Sequence, residues 1–138
     1  MPAESSDNTS LTGVWHGLYN YPARHRMPES HFTATIIDSG GALSGTIHEM
    51  MNHRDRPATE ANAWVEGWVE GSQVHFIKAY DGTGGHVHSL AYDGTLNGER
   101  DEIEGRWTVV KNGFSGRFLM IRKRGQGAAA KVEAFEKA

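Results

Sequence analysis

His86 and His88 stand two positions apart in a segment where apolar and polar residues alternate. On a strand that spacing sends both imidazoles to one side, which suits either two hydrogen-bonding groups at a binding site or two metal ligands. A third ligand would have to be Glu49 or a tyrosine, and Lys78 falls opposite His88 in the pairing the turns imply. An ammonium beside a metal ion is unfavourable, so the pair is expected to line a mouth, with no metal and no cofactor. Glu49 ends a strand on its inward side, where an unpaired carboxylate is costly. Lys78 is its expected partner. The pair then serves either as a buried salt bridge fixing one layer of the fold or as part of a catalytic group. In the second case Glu49 is the acid or base, and Tyr19, Tyr21 or Tyr80 polarises a substrate oxygen. His75 faces the other way, and His16, His25, His31 and His53 are read as sharing no face.

These residues need a scaffold of strands. From residue 13 to 124 the apolar pattern has period two, broken by turn residues at short intervals. Strands are expected at 13–21, 30–38, 42–50, 62–70, 73–80, 86–96, 101–110 and 114–124. The 51–61 segment reads as a polar loop. Residues 1–10 form a lead-in, 11–124 the folded domain, and 125–138 a tail in which Val132 and Phe135 mark a short helix packed outside. Turn chemistry then suggests registers. Gly71-Ser72 pairs Val69 with Val74 and Val65 with Lys78. Ser39-Gly40 pairs Ile36 with Leu43 and Phe32 with Ile47. The DGTGG turn pairs Tyr80 with His86, Lys78 with His88 and Val74 with Tyr92, and Asn112-Gly113 pairs Trp107 with Phe118.

In all four hairpins the apolar set of one strand meets that of the next, as a single inward face requires. The expected fold is all-β: one up-and-down antiparallel barrel of about eight strands, with a two-sheet sandwich as the alternative. Glycines at 17, 45, 67, 94, 105 and 116 point inward and leave room for closure. The floor is apolar, with Trp15, Ile36, Leu43, Val74, Ile103 and Met120, plus Arg122. Tyr19, Tyr21, Glu49, Lys78, Tyr80, His86 and His88 gather at the top, with Tyr92, Trp107 and Phe118 between.

Gly13, Trp15 and Arg122 form a GxW opening strand whose tryptophan lies beside an arginine of the last strand. This arrangement resembles the calycin superfamily of lipocalins, fatty-acid-binding proteins and avidins. The order GVW, SGGALSGTI and a final hairpin through a tryptophan strand is most similar to avidin and streptavidin, over roughly residues 11 to 122. The resemblance implies a pocket at the open end. It does not extend to the biotin contacts, because the serine, asparagine and aspartate set of avidins has no counterpart here. Trp15 with Arg122 reads as structural closure, a cation stacked on indole.

Composition narrows the remaining classes. The 138 residues carry a formal net charge of -3 and no cysteine, which argues against a nucleic-acid partner and removes thiolate chemistry. No apolar run approaches a membrane span, and a cytoplasmic location is expected. DGTGG lacks the ending of a phosphate loop, and no nucleophile elbow occurs. Trp64 and Trp68 face outward with Ile77, an apolar patch expected to join copies in a homodimer or higher homo-oligomer, with cover by the C-terminal helix carrying Val132 and Phe135 as the alternative. The expected function is binding of a small molecule with a hydrophobic or aromatic body and a polar or anionic head. Its contacts would be Tyr19, Tyr21, Glu49, Lys78, Tyr80, His86, His88, Tyr92, Trp107 and Phe118. The alternatives are a cofactor-free isomerase, cyclase or lyase using Glu49, and a structural or interaction module whose barrel is filled by its own side chains.

Overall fold

A computed structural model describes residues 9–22 and 28–122. Eight strands follow in order: β1 (Gly13–Asn20), β2 (Ser30–Ser39), β3 (Ala42–Met51), β4 (Thr59–Glu70), β5 (Gln73–Tyr80), β6 (Ser89–Leu96), β7 (Glu102–Val109) and β8 (Ser115–Ile121). Each pairs antiparallel with the next, and β8 returns to β1 from His16↔Ile121 to Asn20↔Arg117. That last pairing closes the sheet, rules out the sandwich and leaves no open edge. No helix among the described residues is long and apolar enough to cross a membrane. The expected helix within 125–138 lies outside the described residues, as does most of the lead-in.

The expected faces hold, but three hairpins pair two residues away from the expected register. Gly71-Ser72 turns as expected, with Val69↔Val74 and Val65↔Lys78. Between β2 and β3 the turn is Gly40-Gly41, not Ser39-Gly40, because both central residues take positive φ (63° and 98°), which glycine adopts without cost. Ile36 therefore meets Gly45, and Phe32 meets Glu49. At the last hairpin, Val110–Gly113 form a four-residue loop. Gly113 N–H donates to the Val109 carbonyl at 2.8 Å and Val109 N–H to the Phe114 carbonyl at 2.7 Å, while the Asn112 side chain accepts from Phe114 N–H at 2.9 Å. Trp107 consequently faces Gly116 instead of Phe118. Between β5 and β6 a 3₁₀ turn at Thr83–Gly85 lengthens the connection, so Phe76 pairs with Tyr92 and Lys78 with Leu90. Strand β6 starts at Ser89, which leaves His86 and His88 on the approach to it and not within it. Strand β4 begins at Thr59, inside the expected loop.

The interior is packed from the floor to the waist. Trp15 is fully buried and donates its Nε1–H to the Leu11 carbonyl at 2.9 Å. Leu11, Trp15, Ile36, Leu43, Val74, Phe76, Ile103 and Met120 leave between them a space of only about 10 Å³, about the room of one water. Above them Phe76 stacks on Tyr92 with ring centroids 4.9 Å apart, and Tyr92 meets Phe118 at 4.8 Å. Burying each of these aromatics contributes about 1.5–3 kcal/mol. Two glycines make the ring packing possible. A Cβ on Gly17 would lie 2.1 Å from the Phe32 ring, and one on Gly116 would lie 2.6 Å from the Trp107 indole. The large rings occupy space that any side chain at those positions would take. A second buried cluster, Leu18, Leu119 and Ile121, lies on the opposite side of β1 and β8 from this interior.

Candidate functional site

Over the packed waist lies one ionic network. β3 brings Glu49 to the inner face, β5 brings Lys78 and Tyr80, and β1 brings Tyr19, because in each strand these residues share the parity of the apolar interior. Lys78 Nζ donates to Glu49 Oε1 at 2.5 Å, and both side chains have no exposed surface. Tyr80 O–H donates to the same oxygen at 2.9 Å, and Tyr19 O–H to Glu49 Oε2 at 2.6 Å. The carboxylate thus accepts three hydrogen bonds, two of them from neutral hydroxyls. Removing two charges from water costs several kcal/mol per ion, and only a complete partner set offsets it.

The ammonium is also enclosed by rings. Lys78 Nζ lies 4.8 Å from the centroid of Phe32, 5.0 Å from those of Tyr19 and Tyr80, and 5.5 Å from that of Tyr92, whose hydroxyl it approaches at 3.4 Å. Four π faces and one carboxylate make a cage matched to a cation. Burial lowers the Lys78 pKa, and the Glu49 charge and hydrogen bond oppose that shift. Burial raises the hydroxyls of Tyr19, Tyr80 and Tyr92 above the ordinary tyrosine value, with Glu49 adding to the shift in each. Tyr21, less enclosed, is raised by burial as well.

Beyond this layer lie the residues at the end of the barrel. Tyr21 meets Tyr19 and Trp107 edge-on, each at 5.7 Å, and Trp107 donates its Nε1–H to the Asn20 carbonyl at 3.1 Å. On the other side His88 lies 4.8 Å and His86 5.8 Å from the Tyr80 ring. His53 stacks on His86 at 5.8 Å with a 10° interplanar angle, and the Thr59 hydroxyl bonds both imidazoles, at 2.9 and 3.0 Å. Burial pulls His86 and His88 below the usual histidine value, which favours the neutral, hydrogen-bonding form of each.

The structure therefore brings together Tyr19, Glu49, Lys78, Tyr80 and Tyr92, with Tyr21, Trp107, His86 and His88 at the rim and Phe118 in the waist below. Phe32, His53 and Thr59 belong to the same assembly and were not singled out from sequence. Phe32 was hidden by the β2–β3 register, and His53 and Thr59 by the reading of 51–61 as a loop. The expectation that His16, His31 and His53 share no face fails for one pair, since His16 bonds His31, while His53 stacks on His86 instead. His25 lies outside the described residues. Arg122 follows β8 and stacks on Trp15 at 4.9 Å, its Nη1 donating to the Ser10 carbonyl at 2.8 Å. Trp64 and Trp68 are 60% and 46% exposed on the outer face, with Trp68 stacked on His75 at 5.6 Å, and Ile77 is half-buried on the neighbouring strand.

Chemically, both Glu49 oxygens are engaged. A substrate proton would have to displace Lys78, Tyr19 or Tyr80 to reach one. Among the described residues no group of three or more His, Asp or Glu side chains is gathered closely enough to hold a metal ion. Comparison with protein-family models, curated proteins and solved structures gave no match.

Proposed function

We propose that this barrel binds a small molecule at its open end, on the layer formed by Tyr21, Tyr80, His86 and His88. The observation that carries the reading is the completed Glu49 network directly beneath. It spends an ion pair and three tyrosine side chains to make a rigid polar floor exactly where a calycin-like barrel would present its ligand site, although an apolar plug would cost less. Lys78 is consumed by Glu49, and burial favours the neutral form of the two rim imidazoles. The preferred ligand is accordingly a planar, largely apolar body that packs on Tyr21 with a polar head bonded by His86 or His88. A charged head gains little here.

Calorimetric titration of the full chain with phenol, benzoate and indole tests this. Saturable binding of at least one probe, weakened by His86→Ala or His88→Ala, is the expected result. Absence of binding by all three, or binding indifferent to both substitutions, overturns it. A second reading, a barrel that works only through its outer surface, is favoured by the close packing of Phe76, Tyr92 and Phe118 at the waist. The same titration decides between them, since that reading expects no binding.

A further inference from the structure

The outer face of β1, β2 and β3 carries histidines that the mouth does not use. His16 is on β1 and His31 on β2, and the register places them diagonally, with His16 opposite Thr33 and His31 opposite Leu18. Both side chains are exposed, and His16 Nε2 lies 3.1 Å from His31 Nδ1, with ring centroids 5.2 Å apart. They border a surface depression of about 340 Å³ lined also by Glu29, Thr33, His48 and Met50. His48, on β3, faces the same way but is bonded to Glu60 at 3.0 Å.

We infer that His16 and His31 form a two-imidazole site for a borderline divalent transition cation, of the class of copper(II), nickel(II) or zinc. The geometry is the argument. Two nitrogens bound at about 2.0–2.1 Å to one ion are about 3.3 Å apart around a tetrahedral centre and about 2.9 Å apart in adjacent square-planar positions. The observed 3.1 Å falls between these, so the two nitrogens already stand at a chelating separation, and the rings need only turn about their side-chain torsions to aim both lone pairs at one ion. The imidazole that donates this hydrogen bond moves its proton to its other ring nitrogen through solvent, which frees both facing lone pairs for the metal. Water in the depression completes the coordination. The backbone under the site is a hydrogen-bonded strand pair, which holds the bite distance rigid. A bound ion would clip β1 to β2 near the rim end of their ladder and add stability by mass action.

The test uses the full chain without an affinity tag, titrated calorimetrically with copper(II) and with zinc in a non-chelating buffer. One saturable equivalent is expected, tighter for copper, with a copper EPR spectrum showing two imidazole nitrogens. His16→Gln and His31→Gln should each lower copper affinity at least about ten-fold, while His48→Gln and His75→Gln change it less than about two-fold. Circular dichroism of each variant confirms that it folds, and these exposed positions tolerate the change. The inference is overturned if no one-equivalent site exists, if His16→Gln binds as the parent does, or if His48→Gln loses as much as His16→Gln.

Discussion

Raising the pH should unfold this protein through its tyrosines. All four in the chain, Tyr19, Tyr21, Tyr80 and Tyr92, lie in or on the buried network, and burial raises each hydroxyl above the ordinary value near 10. The linkage has a definite sign. Above pH ~10 the unfolded chain releases phenolic protons that the folded chain keeps, so the folded state is the more protonated and stability falls as pH rises. Each fully linked tyrosine contributes a slope of about 1.4 kcal/mol per pH unit, and the three most enclosed together about 4 kcal/mol per pH unit. A domain of about 5–15 kcal/mol stability is then exhausted roughly one to four units above pH 10. Lys78 acts in the opposite direction. Its folded pKa is lowered, so between that lowered value and the unfolded lysine value the unfolded state binds the extra proton and stability rises with pH; above about 10.4 this contribution stops changing. Phenolate absorbance and near-ultraviolet circular dichroism, followed in one alkaline titration, check the outcome. Phenolate should appear in a single cooperative step that coincides with loss of tertiary signal. Gradual titration of two or more tyrosines at ordinary pH values, with the dichroism intact, would refute the enclosed network.

The ion pair gives a second test. Glu49→Gln leaves Lys78 buried without its counter-charge and should cost about 3–5 kcal/mol in urea denaturation, whereas Glu49→Leu combined with Lys78→Met should cost far less than the sum of the single changes. A single Glu49→Gln loss below about 1 kcal/mol would mean the pair is not desolvated. The exposed Trp64 and Trp68 face is proposed to join copies of the chain: sedimentation should show association that grows with concentration and that Trp64→Ser with Trp68→Ser abolishes. A monomer at every concentration removes that proposal.

Much of the architecture was legible because period two is a strong constraint. A strand slipped by one residue turns its whole apolar set to solvent, so the inward faces of all eight strands could be assigned from pattern alone. A slip of two residues preserves every face and is invisible to that argument. Three of the four hairpins differ in this way, and each difference comes from turn detail: paired positive-φ glycines at 40 and 41, a 3₁₀ turn at 83–85, and an Asn112 side chain capping a longer loop. The consequences concentrate at the site. Moving Phe32 opposite Glu49 adds the fourth ring around Lys78, and moving Tyr92 opposite Phe76 brings its hydroxyl within 3.4 Å of the same ammonium. The partnership of Glu49 with Lys78 survived because a buried carboxylate needs a cation on the same face, and none of the displaced hairpins lies between β3 and β5, which β4 joins.

The histidines failed for a different reason. The same parity that turns Trp15, Gly17 and Phe32 inward turns His16 and His31 outward onto adjacent strands, where no apolar pattern marks them as partners. Their diagonal placement follows from the β1–β2 register, which no short turn specifies because the connection runs from Tyr21 to Glu29. Closure supplies what local chemistry lacks. Once β8 pairs with β1 and the other six junctions are set, the barrel leaves one stagger for β1 on β2 that keeps Gly17 under the Phe32 ring. That stagger is what places two imidazole nitrogens 3.1 Å apart. The outer pair and the inner cage are therefore two results of one geometric condition, and a substitution that shifts the β1–β2 register should disturb both together.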